Sequence, residues 1–293
     1  MIEIIKKNII GSNILGNSVG PTDLDLLKYS TPVYKQSLDG KVIFIVFLKS
    51  KEEPVLIVKT VRDYKYAKVI KEGYQKLEEI KDMVEDTKYN NLFPQPILLY
   101  DDKKEFIFSI ESYHGGLNTA RNIKNLPRVT NLYTDFQKTL NKSKSSSLLL
   151  YGKNLIKSLN LDTQDESFLE KHLVNIQGKP GRDVFLIDQH GDLTPDNIFI
   201  TKGGIRIIDC DRFGEVQLAG YDIYRFVLRV DPNKVQESLH KYFFSMDLNI
   251  KPDKATIFLY YLHDLLFKHK YIADKISAQD IINRFEAQYE LVK

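Results

Sequence analysis

The first 113 residues contain short apolar runs of the kind that form β-strands. KVIFIVFLKS (41–50) and PVLIVKTV (54–61) are rich in β-branched and aromatic residues, and the polar turn between them predicts a hairpin. LDLLKYS (24–30), PQPILLYDD (94–102) and KEFIFSIESY (104–113) have the same character, so we expect further strands there. This part of the chain predicts a small β-rich lobe.

One helix is expected among these strands. In YAKVIKEGYQKLEEIKDMV (66–84) apolar residues recur every three or four positions, which is typical of an amphipathic helix. Gly73 lies inside this stretch, although glycine is unfavourable in the middle of a helix. We therefore predict one helix that packs against the strands.

From about residue 118 helical patterns dominate the chain. ATIFLYYLHDLLFKH (255–269) is apolar nearly all round, which predicts a buried helix. NKSKSSS (141–147) is polar and predicts a turn between helices or a mobile surface segment. The predicted fold class is α+β with two lobes, a β-rich lobe at residues 1–113 and a larger helical lobe at 114–293, and the joint between lobes is a favoured place for a ligand.

Composition narrows the functional classes. The 293 residues are 43% apolar and 28% charged, as expected for a soluble globular protein, and a net charge of +3 does not favour a nucleic-acid partner. No apolar run reaches the ~18 residues that a membrane span needs. The single cysteine, Cys210, excludes an internal disulfide and favours a cytoplasmic location. The sequence carries no indication of an oligomeric state.

Chemistry is concentrated in QHGDLTPDNIFI (189–200) and IIDCD (207–211), which a TKGG turn joins into a predicted hairpin. The outer ends of this hairpin carry Asn197 and Asp209, whose amide and carboxylate oxygens suit Mg²⁺. Asp192 lies five residues before Asn197, where it can accept a proton from an incoming hydroxyl. These are parts that phosphoryl transfer needs, although aspartate close to proline is also ordinary turn chemistry.

Two residues of the β-rich lobe extend this pattern. The Asp192–Asn197 spacing and the later Asp209 match those of kinase catalytic loops and their metal-binding aspartate. Lys59, in an otherwise apolar strand, is similar to the kinase lysine that contacts phosphates, and Glu72 on the predicted helix is its candidate ion-pair partner. Alternatively, Lys59 is an exposed lysine of an edge strand.

HGDLTPDNIFI and IIDCDRFGEVQLAGYDIYRF resemble the aminoglycoside phosphotransferase and choline kinase-like families of the protein-kinase-like fold. Those families contain H-G-D-L-x-x-x-N-I followed by I-D-x-x-x-x-G, and the strong match covers residues 186–226. The resemblance implies a two-lobed protein-kinase-like fold that uses ATP and Mg²⁺. It implies Asp192 as the catalytic base, and Asn197 and Asp209 as Mg²⁺ ligands.

The same resemblance implies a nucleotide site in the β-rich lobe. Lys59 would contact the α- and β-phosphates with Glu72 behind it, and the backbone around Glu111 and Tyr113 would hydrogen-bond adenine. A later aspartate, Asp222, would brace the catalytic loop.

The chain has no G-x-G-x-x-G loop to cover the phosphates. Ser30 and Thr31 are the candidates for that contact. Four residues with acidic or aromatic character are candidates for holding an acceptor amine: Asp231, Tyr260, His263 and Asp264.

The predicted function is an ATP-dependent transfer of the γ-phosphoryl group to a hydroxyl of a small molecule. The acceptor would be a sugar, amino sugar, aminoglycoside or amino alcohol. Alternatives are a kinase of a cell-surface glycan precursor, a protein kinase, and a nucleotide-binding pseudokinase scaffold. Protein substrates are disfavoured because the chain has H-G-D and D-C-D where protein kinases have H-R-D and D-F-G, and no A-P-E.

Overall fold

The structure is a computed structural model. It describes residues 1–16, 19–29, 40–115, 119–140, 144–178, 181–248, 250, 252–269 and 276–293. Contacts divide the chain into two compact units, residues 1–117 with 199–211, and residues 118–198 with 212–293. Residues 199–211, which the sequence places in the second lobe, are thus grouped with the first unit.

The first unit is built on the predicted strands. Its elements are α1 (Ile2–Gly11), β1 (Leu24–Tyr29), β2 (Lys41–Leu48), β3 (Pro54–Val61), α2 (Ala67–Val84), β4 (Pro96–Asp101) and β5 (Ile107–Ser112). Among the described residues, five strands form one antiparallel sheet in the order β1-β2-β3-β5-β4. The strand predictions for this lobe and the helix over 66–84 are confirmed.

Strand alternation gives this sheet two different faces, because successive side chains point to opposite sides. One face carries an apolar core that α1 completes, with Ile5, Ile9, Val46, Val58 and Phe108 buried in it. The residues between the core positions of β2, β3 and β5 therefore point to the other face. On that side a smaller apolar cluster joins the sheet to α2, from Val61, Ala67, Ile70 and Ile107.

The second unit is mainly helical. Its elements are α3 (Leu126–Leu140), β6 (Lys144–Ser147), α4 (Leu148–Lys157), α5 (Thr163–Ile176), β7 (Asp183–Leu186), α6 (Tyr221–Val230), α7 (Val235–Ser245), α8 (Lys254–His269) and α9 (Ala278–Val292). The buried-helix prediction is confirmed, because every residue from Ala255 to Leu265 of α8 is buried. In the part of the chain that the structure describes, no helix has the length and apolarity to cross a bilayer.

One prediction in this unit is wrong. The serine-rich stretch was expected to be a turn or a mobile segment, but its residues 144–147 form β6, which pairs antiparallel with β7. The pairing joins backbone groups, so polar side chains do not prevent it. Residues 141–143 lie outside the described residues.

The predicted hairpin is present as β8 (Ile198–Thr201) and β9 (Gly204–Ile207). The backbone N–H of Ile207 donates to the carbonyl of Leu92, 2.8 Å away, in the segment that follows α2. Arg206 also bonds the carbonyl of Asn91. These contacts fix β9 within the first unit, and the chain then enters a short 3-10 turn at Cys210–Arg212.

Candidate active site

A cluster of buried charges lies on the α2 side of the sheet in the first unit. The Lys59 Nζ lies 3.1 Å from Glu111 Oε2 and 3.5 Å from Asp211 Oδ1. The Lys41 Nζ contacts Asp211 Oδ2 and lies 3.6 Å from Asp209 Oδ1. Alternation explains the meeting, because Lys41, Lys59 and Glu111 occupy the non-core positions of β2, β3 and β5. Lys59 is therefore a buried, paired lysine and not an exposed edge residue.

The lysines and carboxylates of this cluster keep one another charged despite their burial. Burial alone lowers the pKa of Lys59, but Asp211, Glu111 and Asp209 outweigh it and hold that pKa well above its ordinary value. Burial alone raises the pKa of Asp211, yet Lys59 and Lys41 hold it below its usual range. The pKa of Glu111 is raised, chiefly by burial. Lys59 and Asp211 are therefore both charged at neutral pH.

Three features of the structure place Asp211 in this cluster. Asp209, two residues earlier, has a φ of 62°, a left-handed backbone conformation that is unusual for a non-glycine residue. A Cβ on Gly73 of α2 would lie 3.0 Å from Asp211 Oδ1, so glycine lets the helix pack closely against this carboxylate. The Lys76 Nζ of the same helix donates to the Asp211 carbonyl at 2.7 Å. The glycine inside the helix pattern is thus explained by a close contact.

The predicted partner of Lys59 is corrected. Glu72 lies on the exposed side of α2 and pairs with Lys68, 3.4 Å away, one helical turn earlier. Lys59 is instead neutralised by Glu111 and Asp211. The physical reason is the orientation of α2, which turns Gly73 toward the sheet and its neighbour Glu72 toward solvent.

We expect Asp211→Asn to lower the free energy of unfolding by about 2–3 kcal/mol, since it leaves the buried Lys59 and the half-buried Lys41 undercompensated. Glu72→Gln is the matched control and should change it by less than about 0.5 kcal/mol, because it removes only an exposed pair. Chemical denaturation followed by far-UV circular dichroism measures both. Equal losses in the two variants would contradict the buried cluster.

Two backbone N–H groups near the predicted adenine contact already donate hydrogen bonds to neighbouring backbone carbonyls. The N–H of Tyr113 donates to the carbonyl of Val55 at 3.2 Å, and the N–H of Ser112 donates to that of Gln95 at 3.0 Å. Any adenine contact in this stretch would therefore use carbonyl oxygens or later N–H groups. Ser30 and Thr31 lie outside the described residues.

In the second unit, Asp222 at the start of α6 anchors the loop that contains Asp192. Its Oδ2 accepts hydrogen bonds from the His190 N–H at 2.6 Å and from the Tyr133 hydroxyl, and its Oδ1 accepts from the Gly191 N–H at 3.1 Å. Asp222, Tyr133 and His190 are fully buried. The carboxylate thus fixes two successive peptide groups immediately before Asp192.

Gly191 is required by the shape of this loop. Its φ is 79°, and a Cβ there would lie 2.8 Å from the Arg212 carbonyl oxygen. The Arg212 guanidinium in turn donates to the Gly191 carbonyl at 3.0 Å. The H-G-D motif therefore has a backbone explanation in addition to any catalytic one.

The Asp192 carboxylate is held by two side chains. Arg225 of α6 pairs with its Oδ1 at 2.7 Å, and the Asn197 amide nitrogen lies 3.3 Å from its Oδ2. The Asn197 amide nitrogen also donates to the Asp192 carbonyl at 2.9 Å. Because the nitrogen of this amide is directed at Asp192, its oxygen is the atom suited to a metal ion.

Asp209 and Asn197 belong to different units. The Asp209 side chain is 43% exposed and offers a carboxylate, a hard oxygen donor of the kind that Mg²⁺ prefers. No cluster of three or more His, Cys, Asp or Glu able to hold a metal ion occurs among the described residues.

The candidates for amine recognition have other roles in this structure. Asp264 pairs with Arg225 at 3.1 Å and accepts from the Tyr221 hydroxyl at 2.9 Å. Tyr260 donates to the carbonyl of Ala219, and Asp231 accepts from the Asn233 N–H at 3.1 Å as a helix cap. His263 is buried with its Nε2 2.7 Å from the Tyr151 hydroxyl.

The burial of His263 predicts a pH effect on stability. Burial, assisted by Arg212, lowers the pKa of this imidazole from its ordinary 6.5 to about 3. Between these two values the unfolded chain binds a proton that the folded chain does not, so stability falls as the pH drops through this window. We expect His263→Phe to lose less stability than the wild type between pH 7 and about pH 4.5. Denaturation curves at several pH values test this, and parallel pH dependence would contradict it.

Two charged residues of the candidate site, Lys41 and Arg225, were not predicted from the sequence. Lys41 was predictable, because it shares the alternation that points Lys59 away from the core. Arg225 was partly predictable, since it lies three residues after Asp222 on the same helix, and such positions share a helix face. Its acidic partners come from distant parts of the chain, which local spacing does not reveal.

Comparison with known proteins shows the fold. No family model matches the chain, and no curated protein sequence is significantly similar to it. A choline kinase from Cryptosporidium parvum Iowa II is 13% identical, with 99% of this chain and 95% of that chain covered and a TM-score of 0.60. The GDP complex of aminoglycoside 2'-phosphotransferase-IIIa is 13% identical, with 98% of each chain covered and a TM-score of 0.55.

A third solved structure belongs to the same group. The Plasmodium vivax ethanolamine kinase is 14% identical, with 98% of this chain and 87% of that chain covered and a TM-score of 0.51. Identities this low establish architecture and not activity. The chain therefore has the α+β, two-lobed protein-kinase-like fold shared by choline kinase, ethanolamine kinase and the aminoglycoside phosphotransferases.

Proposed function

We propose that the chain is an ATP-dependent phosphotransferase that moves the γ-phosphoryl group to a hydroxyl of a small molecule. The observation that carries the proposal is the Asp192 carboxylate, which Arg225 and Asn197 hold in a loop that Asp222 anchors. A fixed, ionisable carboxylate of this kind is the group that orients an attacking hydroxyl in phosphoryl transfer.

The proposed roles follow the chemistry of each group. Asp192 accepts the proton of the acceptor hydroxyl as it attacks the γ-phosphorus. Lys59, kept charged by its buried carboxylates, binds the α- and β-phosphates. Asn197 and Asp209 hold Mg²⁺, which when bound neutralises charge on the phosphate oxygens.

We assign nucleotide binding to residues 1–113 and the acceptor to residues 114–293. The backbone around Glu111 and Tyr113 is proposed to contact adenine. The acceptor class is proposed as sugar, amino sugar, aminoglycoside or amino alcohol, since the similar folds include kinases of choline and ethanolamine and aminoglycoside phosphotransferases.

A phosphorylation screen tests the proposal. Purified protein with Mg²⁺ and ATP, or GTP in parallel, is offered aminoglycosides, free sugars, amino sugars and choline-like alcohols, and phosphorylated products are detected by mass spectrometry. Transfer to a small acceptor supports the proposed function. Binding of nucleotide without transfer to any acceptor, including generic protein substrates, would favour a scaffold role instead.

A further inference from the structure

We propose that Arg225 is a positioning residue for phosphoryl transfer, which holds the Asp192 carboxylate in its working orientation and is itself held by Asp264. The inference rests on the proposed function and adds a residue to it. Neither residue needs to touch the substrate in order to act in this way.

Arg225 bridges two carboxylates from inside the second unit. Its guanidinium lies 2.7 Å from Asp192 Oδ1 through Nη2 and 3.1 Å from Asp264 Oδ1 through Nη1. The residue is only 2% exposed. A buried arginine is costly unless its charge is compensated, and here two carboxylates compensate it.

The other contacts of Arg225 fix the direction of its guanidinium. Its Nη1 donates to the Tyr221 hydroxyl at 2.9 Å, and that hydroxyl donates to Asp264 at 2.9 Å. The Phe267 ring lies under the guanidinium, 4.8 Å from its central carbon to the ring centroid. The guanidinium is planar, and its Nη1 side and one face are held by these contacts. Its Nη2 therefore points in one fixed direction, toward Asp192, whereas the ammonium group of a lysine would be free to turn.

Arg225 and Asn197 together restrict rotation of the Asp192 carboxylate. Arg225 binds Oδ1 while the Asn197 amide lies 3.3 Å from Oδ2, so rotation about the last side-chain bond disturbs both contacts. Orientation matters in catalysis because a proton acceptor works only within hydrogen-bond reach of the reacting hydroxyl. Loss of Arg225 should therefore slow the chemical step more than it weakens binding.

The same geometry gives Asp264 a different role from the predicted one. Its carboxylate is buried, paired with Arg225 and bonded to Tyr221, so its negative charge is already compensated. We assign it to the orientation of Arg225 and not to the binding of an acceptor amine. Asp264→Asn should then lower kcat, whereas a lost amine contact would raise the acceptor KM.

Kinetics of Arg225→Met, Arg225→Lys and Asp264→Asn test the inference on the best acceptor from the screen. We expect kcat to fall about 100-fold in Arg225→Met, within the range for a mispositioned general base. Arg225→Lys should lose only about 10-fold, because it keeps the charge but not the fork. The KM for ATP should stay within about twofold in each variant, because neither Arg225 nor Asp264 is among the residues proposed to bind the nucleotide.

Arg229→Met is the matched control. Arg229 lies one turn further along α6 and is exposed, so its replacement should leave kcat and both KM values unchanged. Thermal melting of each variant is recorded, and the assays are run well below the lowest melting temperature. These conditions separate slower chemistry from partial unfolding.

The outcomes separate the two proposals. An active wild type together with an unchanged kcat in Arg225→Met would overturn the positioning role while leaving the proposed function intact. Loss of nucleotide binding in parallel with kcat, with no partial recovery in Arg225→Lys, would also overturn it and assign Arg225 to stability alone. A wild-type protein without phosphoryl transfer would overturn the proposed function, and the inference with it.

Discussion

Replacing Asp192 with asparagine is expected to lower phosphoryl transfer by about a thousandfold, the usual scale for removing a well-placed general base. The amide keeps the size of the side chain and still accepts a hydrogen bond from Arg225 at Oδ1. It cannot accept the proton of the attacking hydroxyl at neutral pH. Turnover is measured under saturating acceptor and Mg·ATP, so that a change in binding does not obscure the chemical step.

Nucleotide binding provides the internal control for this prediction. The proposed phosphate lysine, Lys59, belongs to the first unit with its own carboxylates, so Asp192→Asn should leave the thermal shift with nucleotide unchanged. Asp196→Asn is the matched variant, because Asp196 lies in the same loop but is exposed and paired with Arg121. Wild-type turnover in Asp192→Asn would remove Asp192 from the mechanism.

Asp222→Ala is expected to lower the free energy of unfolding by roughly 4 kcal/mol. The change leaves two buried donors without their acceptor, the Tyr133 hydroxyl and the Gly191 N–H. The His190 N–H also loses its bond to Asp222 but keeps the Tyr133 hydroxyl oxygen, 3.0 Å away, as an acceptor. Each unsatisfied buried donor costs about 1–3 kcal/mol. Because the chain has no tryptophan, urea unfolding is followed by far-UV circular dichroism.

Asp135→Ala is the control for this stability measurement. Asp135 is an exposed residue of α3, the helix that carries Tyr133, so its loss should change stability by less than about 0.5 kcal/mol. Activity should disappear in Asp222→Ala even where the protein remains folded, because the peptide groups before Asp192 lose their anchor. A fully active and fully stable Asp222→Ala variant would refute the bracing role.

The part of the candidate site that lies within one loop could be predicted from the sequence. Asp192 and Asn197 lie within one loop, and a short segment with strong turn residues limits its own geometry. Their mutual hydrogen bonds are consistent with that local origin. The bracing role of Asp222 came from the family resemblance, and its hydrogen bonds from the His190 and Gly191 N–H groups agree with that role.

The carboxylate partner of Lys59 could not be predicted from spacing along the sequence. Glu72 was favoured because its spacing from Lys59 matched a pattern, but its direction depends on how α2 rotates against the sheet. Gly73, on the sheet-facing side of the helix, permits the close approach of Asp211, a residue about 140 positions later in the chain. Spacing along the helix contains no information about that distant contact.

Most of the helices and strands followed from the sequence, although β6 did not. Apolar periods of two and of three to four residues specified the strands, α2 and the buried α8, because backbone geometry repeats with those periods. The tertiary structure alone decided which carboxylate meets each buried cation, Asp211 and Glu111 at Lys59, and Asp192 and Asp264 at Arg225. The reason is that a buried charge takes its partner from whichever distant segment packing brings within about 4 Å, and local sequence does not encode that choice.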